Sequence, residues 1–111
     1  GILISTSKST KNTSFFDEVI ASGTPIAFFD RLLINSFEKY MSTTIDDEKA
    51  GYMATTLILK KGIKNLAVLS APENLNIGHK RLLGIKKALS DHNFAMEKVE
   101  IMDSKLEYST Y

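Results

Sequence analysis

Short apolar runs alternate along this chain with stretches in which apolar residues recur every three or four positions. The runs Ile2 to Ser5, Ile26 to Phe29 and Leu66 to Leu69 are typical of strands that are covered on both faces. Pro25 stands directly before the second run, where its missing amide is tolerated at a strand start. These runs therefore predict the central strands of the fold.

The stretches between these strands predict helices. The first helix begins near Ser14, which together with Asp17 forms an N-cap pattern, and it ends at Gly23. The second helix is capped by Asp46 or Asp47, and its apolar face is formed by Ala50, Met53, Ala54, Leu57 and Ile58.

The remaining segments have weaker patterns. Residues 71–78 form a predicted loop, and a third helix follows with apolar residues at 82, 85 and 89. Residues 43–45 and 99–101 are predicted short strands, and residues 32–41 are predicted as a loop with one helical turn. The alternation of strands and helices predicts an α/β fold, a Rossmann-like parallel sheet with flanking helices. We expect two halves of similar size, which meet near Asp46.

Composition narrows the class of protein only slightly. The chain has 111 residues, a formal net charge of +1 and no cysteine. The low net charge provides no attraction for DNA, membranes or acidic substrates, and the lack of cysteine excludes disulfides and thiolate metal sites. No apolar run approaches the roughly 20 residues that span a bilayer. Because Gly1 to Ser5 resembles a strand already under way and residues 105–111 complete no element, we expect a piece of a longer protein.

Polar residues follow the predicted strands at the positions where parallel sheets bind ligands. Ser5 and Thr6 follow the first strand, Asp30 and Arg31 follow the second, and residues 70–76 follow the third. A hydroxyl, a carboxylate and a guanidinium around one cleft suit a polyol, because they donate to and accept from vicinal hydroxyls. The alternative is that Asp30 and Arg31 form a solvated turn, and position alone favours that interpretation.

Other chemistry has little support in the sequence. The basic residues around Arg81 could form a nucleic-acid patch, but charge elsewhere balances them and a solvated helix face is the better interpretation. His79 and His92 lack metal-ligand spacing, and the acidic residues 46–48 are explained by helix capping and the helix dipole. No glycine-rich phosphate loop or nucleophile elbow occurs. We therefore expect no catalytic residue, no metal and no cofactor.

Three segments, in order, resemble blocks of the lactose/galactose repressor family. They are VIASGTPIAFFDR at 19–31, IDDEKAGYMATTLILKKG at 45–62, and LAVLSAP with RLLGIKKAL between 66 and 89. Each block alone is weak, whereas the ordered set is specific and covers about residues 1 to 92. The sequence departs from the family pattern where Asp47 replaces the common asparagine and Ala71 replaces a glycine.

The resemblance implies the effector-binding core, in which two periplasmic-binding-protein-like subdomains clamp a small molecule. It implies that residues 1–45 belong to the N-terminal subdomain and residues 46–111 to the C-terminal one. Asp30 matches a ligand-contacting aspartate, Ser5 falls at the polar end of a strand, and Arg81 matches the arginine that grips the effector from the second subdomain. Thr6 is a further candidate from its position beside Ser5. The first crossover between the subdomains matches Ile45, Asp46 and Asp47. In the intact protein we expect Arg81→Ala to abolish the effector response without affecting the fold.

The resemblance also implies a function. We expect a cytoplasmic transcription regulator without enzyme activity, whose effector is a saccharide and which reaches operator DNA only through a headpiece outside this chain. We expect no membrane partner, and a homodimer or strand-exchanged oligomer, because exposed strand edges seek partners. The alternative is a periplasmic sugar-binding protein with the same fold. A response-regulator-like or flavodoxin-like enzyme domain is disfavoured, because Ser5, Thr6 and Ser7 stand where an acidic cluster or phosphate loop belongs.

Overall fold

The computed structural model describes residues 1–33 and 39–104. The elements in these ranges, in chain order, are β1 (Ile2–Ile4), α1 (Ser14–Ala21), β2 (Ile26–Phe29), β3 (Ser42–Thr43), α2 (Asp47–Leu59), β4 (Leu66–Ser70), α3 (Asn76–Asp91), a 3-10 helix (Met96–Lys98) and β5 (Val99–Asp103). The helical turn predicted within residues 32–41 falls largely on 34–38, and the predicted end of the pattern at 105–111 lies wholly outside the described residues.

The strands form two separate parallel sheets. β1, β2 and β3 lie side by side in that order, with Ile2 opposite Ile26 and Phe28 opposite Ser42. β4 pairs with β5 from Leu66 opposite Val99 onward. Parallel strands joined through helices confirm the predicted α/β fold class. β3 lies at residues 42–43 rather than 43–45, because the amides of Phe28 and Asp30 bond to the carbonyls of residues 41 and 43.

The first sheet packs against α1 through aromatic side chains. Phe16 contacts Phe28 edge-to-face with ring centroids 5.1 Å apart, and Tyr40 lies 5.0 Å from Phe28. Asp17 accepts hydrogen bonds from Lys39 Nζ at 2.6 Å and from Tyr40 Oη at 2.8 Å. These bonds lower the pKa of Asp17, and the bond from Lys39 has the larger effect. The pKa of Tyr40 is raised, mainly by burial and then by its bond to Asp17.

The start of α1 differs from its predicted cap. Thr13 occupies the N-cap position without a side-chain bond, and Asn12 Oδ1 accepts from the Ser14 amide at 2.9 Å. The predicted capping role of Ser14 is therefore wrong, since its own hydroxyl also donates to Asn12. Because Asp17 is occupied by Lys39 and Tyr40, its carboxylate links the helix to the segment before β3 instead of capping α1.

The second sheet is flanked by α2 and α3, which pack closely against each other. A Cβ on Gly84 would overlap the carbonyl oxygen of Glu48, and a Cβ on Gly51 would overlap the Arg81 backbone. Both glycines therefore allow the two helix backbones to touch. Predicted apolar residues of α3, including Leu82 and Leu89, are buried, whereas those of α2, including Met53, are exposed. α3 also starts at Asn76, inside the predicted loop.

Candidate functional site

Four polar residues meet where β1 and β2 end. The Thr6 amide and hydroxyl both donate to the Arg31 carbonyl at 3.0 Å. Arg31 Nε lies 3.4 Å from Ser5 Oγ and 3.5 Å from Asp30 Oδ2. The carboxyl ends of the two neighbouring strands thus bring together Ser5, Thr6, Asp30 and Arg31, as their positions in the sequence predict.

The four side chains differ in what they offer a ligand. Thr6 is buried and its hydroxyl hydrogen is used by the Arg31 carbonyl, so Thr6 shapes the loop from within. The Asp30 side chain is 58% exposed and its carboxylate presents oxygen acceptors to solvent. Ser5 is half-buried, and its hydroxyl lies 3.4 Å from Arg31 Nε. The surface therefore combines an accessible carboxylate, a hydroxyl and a guanidinium, which together can bind vicinal hydroxyl groups.

Asp30 has an unusual backbone conformation. Its φ is 60°, in the left-handed region that aspartate tolerates better than most residues with a Cβ. Its amide donates to the Thr43 carbonyl at 3.2 Å, at the end of β3. The turn at Asp30 ends the strand and turns the chain towards α3.

Arg81 is held by an acidic residue of the neighbouring helix. Arg81 Nε donates to Asp47 Oδ1 at 2.7 Å, and the Asp47 side chain is only 1% exposed. The other oxygen, Oδ2, is buried without a hydrogen-bond partner. The Arg81 side chain is 46% exposed, and a guanidinium has five N–H donors, so one anchored nitrogen leaves donors for another group. Asp47 therefore fixes the direction of Arg81.

The predicted crossover residues have distinct environments. Ile45 is exposed, Asp46 is the N-cap of α2 and accepts from the Lys49 amide at 2.9 Å, and Asp47 pairs with Arg81. β3 of the first sheet ends at Thr43, and α2 leads into the second sheet. The segment between these elements is thus the connection from one sheet to the other.

Asn76 ends the polar run 70–76 that follows the third predicted strand, but the sequence did not indicate its contacts. Its side chain is fully buried and bonds to the backbone of residues 30 and 32, directly beside the Asp30 turn. Through these bonds the first turn of α3, the helix that carries Arg81, contacts the loop that carries Asp30. An asparagine at a helix start is common as a capping residue, so no local pattern distinguishes this role.

Within 1–33 and 39–104, no three or more histidine, aspartate or glutamate side chains are grouped so that they could hold a metal ion. The helices of this part of the chain are also too short or too polar to cross a membrane.

The two parallel sheets and their flanking helices match periplasmic-binding-protein-like folds. The transcriptional regulator CelR in complex with cellobiose is similar over 99% of this chain and 33% of its own, with TM-score 0.76 and 21% identity. A transcriptional regulator of the LacI family from Burkholderia phymatum is similar over 96% of this chain and 38% of its own, with TM-score 0.76 and 22% identity. A galactofuranose-binding protein is similar over 97% of this chain and 38% of its own, with TM-score 0.75 and 16% identity.

These similarities concern the fold. No protein-family model matches the sequence, and no curated protein sequence matches it. The predicted fold class is confirmed, and so is the likeness of this fold to lactose-repressor-type regulators. The chain spans about a third of the length of these similar chains, as 33% to 38% coverage shows.

Proposed function

We propose that this chain is part of the effector-binding core of a transcription regulator, and that the effector is a saccharide. The single observation that carries the proposal is the match of almost the whole chain to the cellobiose-bound regulator, at TM-score 0.76. The cluster of Ser5, Asp30 and Arg31 at the strand ends supports it, because such clusters suit hydroxyl-rich ligands. A binding protein of this kind needs no cofactor and catalyses no reaction.

The proposed roles follow from the chemistry of each side chain. Asp30 accepts hydrogen bonds from vicinal hydroxyls, Ser5 donates or accepts, and Arg81 approaches from α3 with its direction fixed by Asp47. Thr6 supports the loop through its bonds to the Arg31 carbonyl. In this proposal residues 1–45 and 46–111 belong to two subdomains, and residues 45–47 are the crossover between them.

The effector would act by changing the relation of these subdomains. A ligand that binds one arrangement more tightly than another shifts the equilibrium towards it, and this shift biases operator affinity. Operator contact would require a headpiece outside this chain, and a regulator of this kind works in the cytoplasm.

The proposal is tested by calorimetric titration of the full reading frame that contains this chain with a panel of monosaccharides and disaccharides. We expect at least one saccharide to bind, and Asp30→Asn to weaken that binding by about tenfold or more, as loss of a charge-assisted hydrogen bond requires. Lys11→Ala, an exposed change in the loop before α1, is the matched control and should leave affinity unchanged. The absence of binding across the panel, or equal affinity in Asp30→Asn, would contradict the proposal.

A periplasmic sugar-binding protein is the second candidate. The similarity to the galactofuranose-binding protein, at TM-score 0.75, specifically favours it. The sequence that precedes residue 1 in the gene distinguishes the two. A headpiece of roughly 60 residues with a helix-turn-helix pattern supports the regulator, and saccharide-dependent binding to operator DNA would follow. A signal peptide supports the binding protein instead.

A further inference from the structure

Asn76 is the first residue of α3 and is fully buried. The N-cap position before it is Leu75, which has no side-chain capping bond. Asn76 does not cap its own helix, since its side chain is directed to the turn that follows β2. A buried primary amide in this position requires partners, because an unpaired polar group is costly away from water.

Two hydrogen bonds supply those partners, since Leu32 N donates to Asn76 Oδ1 and Asn76 Nδ2 donates to the Asp30 carbonyl, each at 2.9 Å. The backbone N–H of Asn76 also donates to the Leu32 carbonyl at 2.9 Å. Leu33 and Leu75 form an antiparallel bridge beside them. The Asp30 carbonyl and both backbone groups of Leu32 therefore find their hydrogen-bond partners at the start of α3, whereas the Asp30 amide bonds to β3.

Only a side chain with one acceptor and one donor at this spacing satisfies both backbone groups. An aspartate at the same position keeps the acceptor for the Leu32 amide but sets a carboxylate oxygen against the Asp30 carbonyl. An alanine leaves both groups without a partner. By contrast, Asn74 makes an exposed bond from Nδ2 to the Lys8 carbonyl at 3.3 Å, so its side chain contributes less to the link.

We propose that Asn76 is a positioning residue that fixes the Asp30 turn to α3 and so sets the separation between the Asp30 carboxylate and Arg81. Arg81 lies five residues further along the same helix, about 7.5 Å along its axis. One helix therefore carries both the link to the Asp30 turn and the arginine. The link itself stands without the proposed function, whereas its importance for saccharide binding rests on that function.

The first test uses the unmodified chain and hydrogen exchange by NMR. The Leu32 amide and the Asn76 side-chain amide protons should exchange slowly, because both are buried and bonded. Exchange of the Leu32 amide at the rate of an unstructured peptide would overturn the proposal.

The second test measures the link directly. The chain has no cysteine, so spin labels react only with cysteines that are introduced. We place them at two exposed positions, Glu18→Cys on α1 and Lys86→Cys on α3. Electron–electron double resonance, with labelled protein diluted in unlabelled chain, should give one narrow distance distribution. Asn76→Asp should broaden it while the helix content by circular dichroism is retained, and the control Asn74→Ala should leave it narrow.

The outcomes separate the two proposals. A distribution that stays narrow in Asn76→Asp refutes the positioning role. If Asn76→Asp fails to fold, slow exchange at Leu32 in the unmodified chain still supports the link and rapid exchange still refutes it. A narrow distribution that broadens in Asn76→Asp, together with no saccharide binding by the full protein, upholds the link and removes only the proposed function.

Discussion

Replacing Arg81 by alanine should destabilise the chain. The change removes the hydrogen bond of 2.7 Å to Asp47 and leaves a carboxylate that is 1% exposed, one of whose oxygens already lacks a partner. Removing one member of a buried ion pair costs about 3–5 kcal/mol. Because the Arg81 side chain is 46% exposed, water reaches the vacated side, and we expect a loss at or below the lower limit of that range, about 2–3 kcal/mol.

A second substitution isolates the charge. Asp47→Asn keeps the shape and an acceptor for Arg81 Nε but carries no charge, so we expect a change within about 1 kcal/mol. The double variant Arg81→Ala with Asp47→Asn leaves no unpaired carboxylate, and it should be more stable than Arg81→Ala alone. The sequence alone predicts that Arg81→Ala leaves the fold intact, whereas the buried Asp47 carboxylate leads us to expect a loss of stability.

Urea unfolding followed by circular dichroism measures the cycle. Equal stability of Arg81→Ala and the double variant, to within about 0.5 kcal/mol, would refute the reasoning, because independent sites add to about that precision. A stability of Arg81→Ala equal to that of the unmodified chain would refute it as well. Effector studies of Arg81 should use the double variant, which separates lost contacts from lost stability.

Three further outcomes are expected. Gly84→Ala should lower the unfolding free energy by about 1–3 kcal/mol, because its Cβ would overlap the Glu48 carbonyl. The control Lys86→Ala changes an exposed residue and should have little effect on stability. Equal urea midpoints for the two variants would contradict close contact between α2 and α3. The folded-state pKa of Tyr40 lies above its ordinary value of 10.0, so its contribution to stability is complete below that pH and is lost as the pH rises through the raised pKa. Tyr40→Phe should therefore reduce the fall in urea midpoint between pH 9 and about pH 11, and an unchanged fall would contradict the assignment. Exposed apolar side chains and open strand edges predict self-association, and a monomeric mass by light scattering over a wide concentration range would count against it.

The sequence predicts the positions of the strands and helices better than it predicts which elements pack against each other. Apolar runs located β1, β2 and β4 to within one residue, because a continuous apolar run is a local signature of a strand. The expected cover on both faces of these strands is wrong for the described part of the chain, since Leu3, Phe29 and Leu69 are exposed. The start of α3 was placed too late, since it depends on Asn76 bonding to Leu32, 44 residues away. Helical spacing also groups Met53 and Leu57 on the apolar face of α2, and both are exposed, because no element in the described part of the chain covers that face.

The candidate site shows the same limit. The rule for parallel sheets brought Ser5 and Asp30 together from their positions at strand ends, since that geometry is local to each strand. The pairing of Arg81 with Asp47 joins residues 34 positions apart, and no periodicity of either helix indicates it. Asn76 and the Asp30 carbonyl are 46 positions apart. Contacts of this kind depend on how the helices and strands pack against each other, and no short sequence pattern reveals that packing.

The left-handed backbone at Asp30 limits which side chains this position could acquire during evolution. With φ at 60°, glycine, asparagine and aspartate are accommodated readily, whereas other residues with a Cβ carry a penalty of about 1–2 kcal/mol. Single substitutions at this position can therefore exchange the carboxylate for an amide or for no side chain at little cost to folding. Threonine or valine would bring a conformational penalty along with any new contact. Relatives that recognise other ligands should accordingly differ at Asp30 within this small set, and show larger variation at neighbouring positions such as Ser5.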